Sequence, residues 1–308
     1  MPITAPAPPT EPVEMATNPP QQTPLMGLLG AKGGVGTTML STSLAWSLSR
    51  LGLQVLLVDL NFSGGQAALH LCDQNAGPTW AQVLGAIDRL DATLLETLLT
   101  PVAPGLRLLP APRPNQIEAQ AINSTQADQV MSVLELGQTL ADVVLLDLPS
   151  QPSSTIYSPR MLQRLSALSL ITQPTMQSTY GARQWLDRLD RLPRLNPDWP
   201  QGSRQGPTRL ELVINPVGKH DAMSPADVAR ALGFEDPMQV RSLPRSEATV
   251  SQALYEGQAL ADFNERDPLS RRITEWAVEL KALWAGEETR AAPTPRPWLR
   301  APLRRWVS

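Results

Sequence analysis

A glycine-rich stretch with one lysine and two threonines is the part of this 308-residue sequence best suited to chemistry. It runs from Gly30 to Thr38 as G-A-K-G-G-V-G-T-T, after a short apolar run and before a segment with helical periodicity. Glycines in such a turn let main-chain N–H groups converge on an anion, and the following helix adds partial positive charge at its N-terminus. The stretch therefore predicts a loop that binds the phosphates of a nucleotide.

Individual residues of this loop have separate expected roles. Lys32 brings a compact ammonium group to the phosphates, and Thr38 brings a hydroxyl that is placed to ligate Mg²⁺. The strict phosphate-loop pattern requires a lysine where Thr37 stands and a glycine where Ala31 stands. Because threonine donates a neutral hydrogen bond where lysine donates a charged one, we expect nucleotide affinity to fall by roughly 10–100-fold. The main chain should supply the remaining contacts, at Gly33, Gly34, Val35 and Gly36.

Two carboxylates lie at or near the ends of apolar runs that are typical of buried strands. Asp59 lies near the end of the run Gln54–Leu60, and Asp147 follows four apolar residues in the run Asp142–Leu148. A carboxylate in such surroundings costs free energy unless it faces a metal ion or another partner. Together with Thr38, the two aspartates are therefore candidates for catalysis and for a Mg²⁺ site.

The elements that must position these side chains alternate along the chain. Short apolar runs predict strands at Leu25–Ala31, Gln54–Leu60, 106–110, Asp142–Leu148, Ala167–Thr172 and Leu210–Asn215. Helical patterns occur at Thr38–Leu51, 78–87, 91–100, 124–140, 175–192, 224–232, 246–256 and 268–285. Continuous apolar strands that alternate with helices predict an α/β fold, namely a doubly wound, mostly parallel sheet with helices on both faces. The ligand of such a sheet sits at the carboxyl ends of its strands.

The two ends of the sequence differ in composition from the middle. Eight of the 31 prolines fall within residues 1–24, which we expect to form a disordered tail before one nucleotide-binding domain at 25–286. Residues 287–308 are rich in proline and arginine, and on a helical wheel their apolar and basic side chains occupy opposite halves. Because Pro302 interrupts this short segment, we expect a solvated tail, with binding to a membrane surface as the alternative.

Composition and charge argue against several classes of protein. No apolar run approaches the roughly 20 residues of a membrane-spanning helix, and no signal peptide is expected. The single cysteine, Cys72, cannot form an internal disulfide, and with only His70 and His220 beside it a His/Cys zinc site is not expected. Residues 25–289 carry a net charge of −6, so nucleic acid is not an expected partner.

The sequence K-G-G-V-G-T-T, which begins at Lys32, resembles the deviant Walker A motif of the MinD/ParA P-loop ATPases. The form with threonine in place of the second lysine is similar to the TadZ/CpaE proteins of Flp (Tad) pilus assembly. The resemblance continues in order along the chain, in Val58–Gly65 (V-D-L-N-F-S-G-G), Val143–Pro149 (V-V-L-L-D-L-P), Ile214–Pro216 and Leu243–Arg245. It covers residues 25–285 and implies a P-loop NTPase fold that uses ATP and Mg²⁺.

The resemblance also implies roles for single residues. Lys32 would reach the nucleotide of the partner subunit in an ATP-dependent homodimer. Asn61 occupies a switch position where an aspartate often orients the attacking water, and an amide cannot act as a carboxylate base. Asn215 would read an adenine edge, and Pro244 belongs to a later motif that contacts the nucleotide. Because Thr37 and Asn61 both depart from the family pattern, we expect slow or absent ATP hydrolysis.

These features favour an ATP-binding dimeric switch of the MinD/ParA type that acts in the assembly and localisation of Flp/Tad pili. Its expected partners are components of the pilus or secretion machinery, and its expected location is the cytoplasm, at the inner face of the membrane or the cell pole. Three alternatives stay open. They are a chromosome- or plasmid-partition ATPase that binds DNA non-specifically, a cellulose-synthesis accessory ATPase, and a scaffold without nucleotide.

Overall fold

A computed structural model describes residues 23–72, 77–114, 127–195, 207–218 and 221–286, which contain one eight-stranded sheet. The strands are β1 (Leu25–Gly30), β2 (Val55–Asp59), β3 (Thr100–Ala103), β4 (Leu106–Leu109), β5 (Val143–Leu148), β6 (Ala167–Thr172), β7 (Arg209–Val217) and β8 (Val240–Pro244). Their order across the sheet is β3-β4-β2-β5-β1-β6-β7-β8. Only β3 and β4 among these neighbours pair antiparallel; the other pairs are parallel.

Helices connect the parallel strands, as crossover connections require. They are α1 (Thr37–Arg50), α2 (Trp80–Gly85), α3 (Ala92–Leu98), α4 (Ala127–Thr139), α5 (Pro159–Arg164), α6 (Met176–Leu195), α7 (Pro225–Leu232), α8 (Glu247–Tyr255), α9 (Leu260–Phe263) and α10 (Pro268–Gly286). The start of α7 follows from its sequence, because Ser224 caps the helix and exchanges hydrogen bonds with Asp227 in a capping box. No helix in the described ranges is long and apolar enough to cross a membrane.

The sheet is buried on both faces, which explains why its central strands are continuously apolar. Leu25 and Leu29 of β1 contribute to the core on one face, where α2 to α7 pack. Met26 and Leu28 point to the opposite face, which α1, α9 and α10 cover. This arrangement confirms the predicted doubly wound sheet and places the carboxyl ends of β1, β2, β5 and β7 along one edge.

The structure corrects the sequence-based assignment at both ends of the sheet. A helix was expected over 91–100, but α3 ends at Leu98 and Thr100 begins the antiparallel edge strand β3. The motif around Pro244 was expected as a loop, but Pro244 is the last residue of β8, the opposite edge strand. Both strands are short and lie at an edge, so they lack the long apolar run that marks a central strand. Of the expected tails at 1–24 and 287–308, all but residues 23 and 24 lie outside the described residues.

Candidate nucleotide-binding site

The loop between β1 and α1 has an open, glycine-lined surface. Gly34 and Gly36 have φ angles of 79° and 90°, which side-chain-bearing residues rarely adopt. A Cβ atom added at Gly33 or Gly34 would meet no atom within 4 Å, so the space above the loop is free. Gly36 caps α1 without a side-chain hydrogen bond, and the first turn of α1 contains no acidic residue. The first N–H groups of α1 are therefore available to an anion.

Lys32 lies on the outer limb of this loop. Its ammonium group donates one long hydrogen bond, 3.3 Å, to the carbonyl oxygen of the adjacent Gly33. Among the described residues no carboxylate pairs with it. A cation without a local partner at this position is free to move toward a phosphate, either in its own subunit or in a second one.

The side chain of Thr37 occupies a different place from a phosphate-binding lysine. A Cβ atom added at Gly30 would lie 2.5 Å from the Thr37 hydroxyl oxygen and 3.0 Å from a methyl carbon of Val35. The hydroxyl therefore packs against the end of β1 beneath the loop. This close approach also explains why glycine is required at position 30.

Asp59 and Asp147 are register partners on the neighbouring strands β2 and β5. Both are almost completely buried, and the Asp59 carboxylate accepts hydrogen bonds from the N–H groups of Asn61 (3.0 Å) and Ala67 (3.1 Å). Burial raises the pKa of Asp59 to about 6, although these two hydrogen bonds lower it. Gly65 packs closely against the same carboxylate, because a Cβ atom there would lie 2.4 Å from both of its oxygens.

The carboxylate of Asp147 has an even less favourable environment. Burial and the neighbouring charge of Asp59 raise its pKa well above the ordinary value, while hydrogen bonds from the hydroxyls of Thr38 and Ser41 lower it. Its oxygen Oδ2 is buried and has no hydrogen-bond partner among the described residues. Two buried carboxylates at adjacent strand ends, one with an unpaired oxygen, are an arrangement that a divalent cation would stabilise.

The residues present fit Mg²⁺ with a nucleotide rather than a metal held by protein alone. The described residues contain no group of three or more His, Cys, Asp or Glu side chains that could hold a metal ion. Mg²⁺ in proteins commonly uses one or two carboxylates together with substrate phosphates and water. Thr38, Asp59 and Asp147 would hold it here, and the ion would neutralise phosphate charge.

Asn61 and Asn215 are positioned differently from each other. Asn61 follows β2 in a turn in which its carbonyl oxygen accepts from Gly64, and its amide side chain is half-buried. Asn215, at the end of β7, is buried and donates from Nδ2 to the carbonyl oxygen of Val35 at 2.9 Å. Its Oδ1 is buried without a partner among the described residues. Asn215 therefore holds the phosphate loop and keeps one acceptor unused.

Ion pairs join the residues around Pro244, at the end of β8, to the segment after β7. Pro244 is the register partner of Val217, so the ends of β7 and β8 lie side by side. Arg245, next to Pro244, is paired with Asp221 at 2.9 Å and with Glu247 at 2.5 Å. Arg245 is thus an ion-paired residue that ties the segment after β7 to the segment after β8, rather than a free cation facing the base.

Three residues near the site were not found from the sequence. Ser41 lies one turn after Thr38 on the same face of α1, so its spacing was a usable signal. Tyr157 donates from its hydroxyl to the carbonyl oxygen of Pro149, and Trp185 donates from Nε1 to the carbonyl oxygen of Ser150. Neither aromatic residue belongs to a motif or has a spacing that relates it to the phosphate loop.

Comparison with known proteins agrees with this geometry. The sequence model of the family "Cellulose biosynthesis protein BcsQ" matches residues 23–180, just over half of the chain. The cellulose biosynthesis protein BcsQ of Escherichia coli (strain K12) is 57% identical over 35 residues, which are 11% of this chain and 14% of that protein. The match thus spans only about one seventh of the length of this curated relative.

Solved structures resemble a much larger part of the chain. A ParA family ATPase from Chlorobium tepidum TLS superimposes with a TM-score of 0.71 at 22% identity, over 84% of this chain and 99% of that one. The septum site-determining protein MinD from Pyrococcus horikoshii OT3, solved with Mg-ADP, gives a TM-score of 0.68 at 17% identity, over 87% and 99%. These likenesses establish the fold as that of the MinD/ParA P-loop NTPases.

Proposed function

The chain belongs to the family of cellulose biosynthesis protein BcsQ, within the MinD/ParA-type P-loop ATPases, and from this premise we propose that it is an ATP-binding dimeric switch that assists cellulose synthesis. One observation carries the nucleotide part of the proposal. An open phosphate loop lies next to two buried register-paired carboxylates, Asp59 and Asp147, and one carboxylate oxygen has no partner among the described residues. The family match carries the link to cellulose.

Hydrolysis is expected to be slow or absent in this proposal. Thr37 packs beneath the loop, and Asn61 offers an amide in place of a carboxylate. What remains for phosphate binding is the main chain of the loop, Thr38 and Lys32. Binding and dimerisation, rather than turnover, would then define the two states of the switch.

The dimer would depend on Lys32 more than usual. Two triphosphates that approach each other repel, and a cation from each subunit offsets this repulsion. Lys32 is the only cation within the loop from Gly30 to Thr38. Mg-ATP should therefore promote dimerisation of the wild type, and Lys32→Ala should abolish this effect while monomers still bind some nucleotide.

Light scattering and calorimetry with and without Mg-ATP test this part. Lys281→Ala is the matched control, because Lys281 is an exposed lysine on α10 that contacts the carbonyl oxygen of Leu51, far along the chain from the loop. Absence of Mg-ATP binding at millimolar ligand would reject the switch and support a scaffold. A Lys32→Ala protein that still dimerises on ATP would reject the role of the lysine.

A gene deletion in the host tests the biological part. We expect the deletion strain to lose cellulose, measured by dye binding and by hydrolysis to glucose, and the wild-type gene but not the Lys32→Ala gene to restore it. Flp/Tad pilus assembly, which the loop sequence also suggests, is the second candidate. Loss of surface pili with unchanged cellulose would favour it, and salt-sensitive DNA binding by the purified protein would favour a partition ATPase.

A further inference from the structure

The segment directly after Asp147 is held by two aromatic side chains from different elements. The Tyr157 hydroxyl donates to the carbonyl oxygen of Pro149, and the Trp185 indole N–H donates to the carbonyl oxygen of Ser150 at 3.2 Å. The two rings also contact each other, with centroids 4.7 Å apart. Tyr157 is 5% exposed and Trp185 is 4% exposed, so both donor side chains are buried, while the acceptor residues Pro149 and Ser150 are half-buried.

Not every buried indole in this protein has such a bond. Trp80 and Trp276 are completely buried, and neither Nε1 atom has a partner among the described residues. The fold therefore tolerates a buried indole N–H without a partner, so burial alone does not account for the hydrogen bond that Trp185 makes. Because the carbonyl oxygens of Pro149 and Ser150 both accept hydrogen bonds from this aromatic pair, the orientation of the two peptide units is fixed. The N–H groups of Ser150 and Gln151 then lie on the opposite side of the segment.

Helix α6 joins this aromatic pair to the phosphate loop. A Cβ atom added at Gly181 would lie 2.5 Å from the carbonyl oxygen of Ala31, so α6 packs directly on the first residue of the loop. Just before α6, Gln173 donates to the carbonyl oxygen of Gly34 at 3.4 Å. Trp185 follows Gly181 by four residues, which places both on the same face of the helix. One helix thus touches the loop at one turn and the segment after Asp147 at the next.

We propose that Tyr157 and Trp185 are positioning residues that hold the main chain at Pro149 and Ser150 and couple it, through α6, to the occupant of the phosphate loop. The proposal rests on the proposed function, since it concerns a site that binds nucleotide. The segment they hold directly follows Asp147, a candidate Mg²⁺ ligand, so their loss should affect the nucleotide with the terminal phosphate and its metal more than the diphosphate.

The test uses variants that remove each donor and keep an aromatic ring in its place. Tyr157→Phe deletes the hydroxyl, and Trp185→Phe deletes the N–H while it keeps an aromatic ring against Tyr157. Trp276→Phe is the matched control, because it removes a buried indole whose N–H has no partner. Tyr255→Phe, at an 89% exposed tyrosine, is the control for the hydroxyl. Calorimetry with Mg-ATP and with Mg-ADP is performed on the full chain, and thermal melting reports on folding.

We expect each donor variant to weaken Mg-ATP binding about threefold to tenfold, the range for loss of one hydrogen bond, with Mg-ADP binding changed less than twofold. The ratio of the two affinities should not change in either control. Equal losses for both nucleotides, or wild-type ratios in properly folded Tyr157→Phe and Trp185→Phe proteins, would overturn the positioning role alone. A wild-type protein that binds neither nucleotide would overturn the proposed function and the positioning role together.

Discussion

The side-chain amide of Asn215 donates a 2.9 Å hydrogen bond to the carbonyl oxygen of Val35, 180 positions earlier in the chain. The two residues meet because β7 and the phosphate loop end at the same edge of the sheet. The contact is tight, since a Cβ atom at Gly36 would lie 2.7 Å from the same nitrogen. The hydrogen bond therefore holds the main chain of the phosphate loop at Val35, and a loop held in this way loses less entropy when a ligand binds.

This contact predicts that Asn215→Ala weakens Mg-ATP and Mg-GTP binding by the same factor, about threefold to tenfold, because a brace on the loop acts on phosphates common to both nucleotides. Calorimetry with the two nucleotides measures the effect. Lys281→Ala, at an exposed lysine of α10 that contacts Leu51, is the control and should change either affinity less than twofold. A loss confined to ATP would show instead that Oδ1 of Asn215 reads the base.

Much of the site could be predicted from the sequence because its residues mark the ends of buried strands. Asp59 and Asp147 interrupt otherwise apolar runs, and parallel strands bring their carboxyl ends to one edge. The sequence could not show that the side-chain amide of Asn215 donates to the carbonyl oxygen of Val35, because this hydrogen bond depends on tertiary structure. It could not relate Tyr157 and Trp185 to Asp147 either, since tertiary packing alone brings them together.

The central strands of the fold could also be predicted from the sequence, because burial leaves a recognisable apolar pattern, whereas the edge strands could not. Central strands such as β5 are buried on both faces, so their sequences are continuously apolar. The edge strands β3 and β8 are only partly buried and contain a proline each, so a helix was expected at one and a loop at the other. The domain limits at residues 25 and 286 and the properties of both tails remain predictions.

The raised pKa of Asp59 predicts that metal-dependent nucleotide binding weakens in acid. Burial places this pKa at about 6, and only the ionised carboxylate can hold Mg²⁺ or its water ligands. At pH 5 the carboxylate would be about one-tenth ionised, so Mg-ATP affinity should fall roughly tenfold relative to pH 7.5. Calorimetry over this range tests it, with excess chelator as a control for protonation of the nucleotide itself.

An Asp59→Asn variant provides the comparison for that pH series. Its weaker binding of Mg-ATP should decline less than that of the wild type between pH 7.5 and pH 5, because one of the two carboxylates with a raised pKa has been removed and only Asp147 remains. An equal decline in the variant and in the wild type would assign the pH dependence to another group.

The same pair of carboxylates predicts that Asp147→Asn stabilises the nucleotide-free protein. The folded state raises the pKa of Asp147 through burial and the charge of Asp59, so the folded state binds the proton more tightly than the unfolded state. The free energy of unfolding therefore falls as pH rises from the ordinary pKa of 3.8 through the raised value. At pH 7.5 the neutral amide should raise the melting temperature by about 2–8 °C.

Calorimetric or fluorescence melting at two pH values measures this effect. At the lower pH the gain should shrink, because the raised pKa of Asp147 favours the protonated, neutral carboxyl in the folded wild type as the pH falls. Asp128→Asn is the control, since this aspartate is 84% exposed and its weak ion pair with Arg160 contributes little. If Asp147→Asn instead lowers the melting temperature at pH 7.5, the contacts of the ionised Asp147 carboxylate in the folded protein stabilise it by more than its burial destabilises it.

The last prediction concerns Thr37, where a lysine would complete the strict phosphate-loop pattern. The threonine hydroxyl packs against Gly30, 2.5 Å from where a Cβ atom would stand, whereas the space above Gly33 and Gly34 is open. A lysine at this position would therefore extend outward, toward the space above Gly33 and Gly34. Thr37→Lys should tighten Mg-ATP and Mg-ADP binding by roughly 10–100-fold, because it adds a charged donor for the phosphates beyond the α-phosphate, whereas the Thr37 hydroxyl is turned toward Gly30. AMP binding should change much less, since it lacks those phosphates.

Thr37→Met is the control, because methionine is similar in length to lysine and has no charge. It separates the effect of the charge from the loss of the threonine hydroxyl, and it should not tighten binding. Unchanged Mg-ATP affinity in a folded Thr37→Lys protein would mean that the loop does not direct residue 37 to the phosphates. Hydrolysis should stay slow in the variant, because Asn61 still offers no carboxylate.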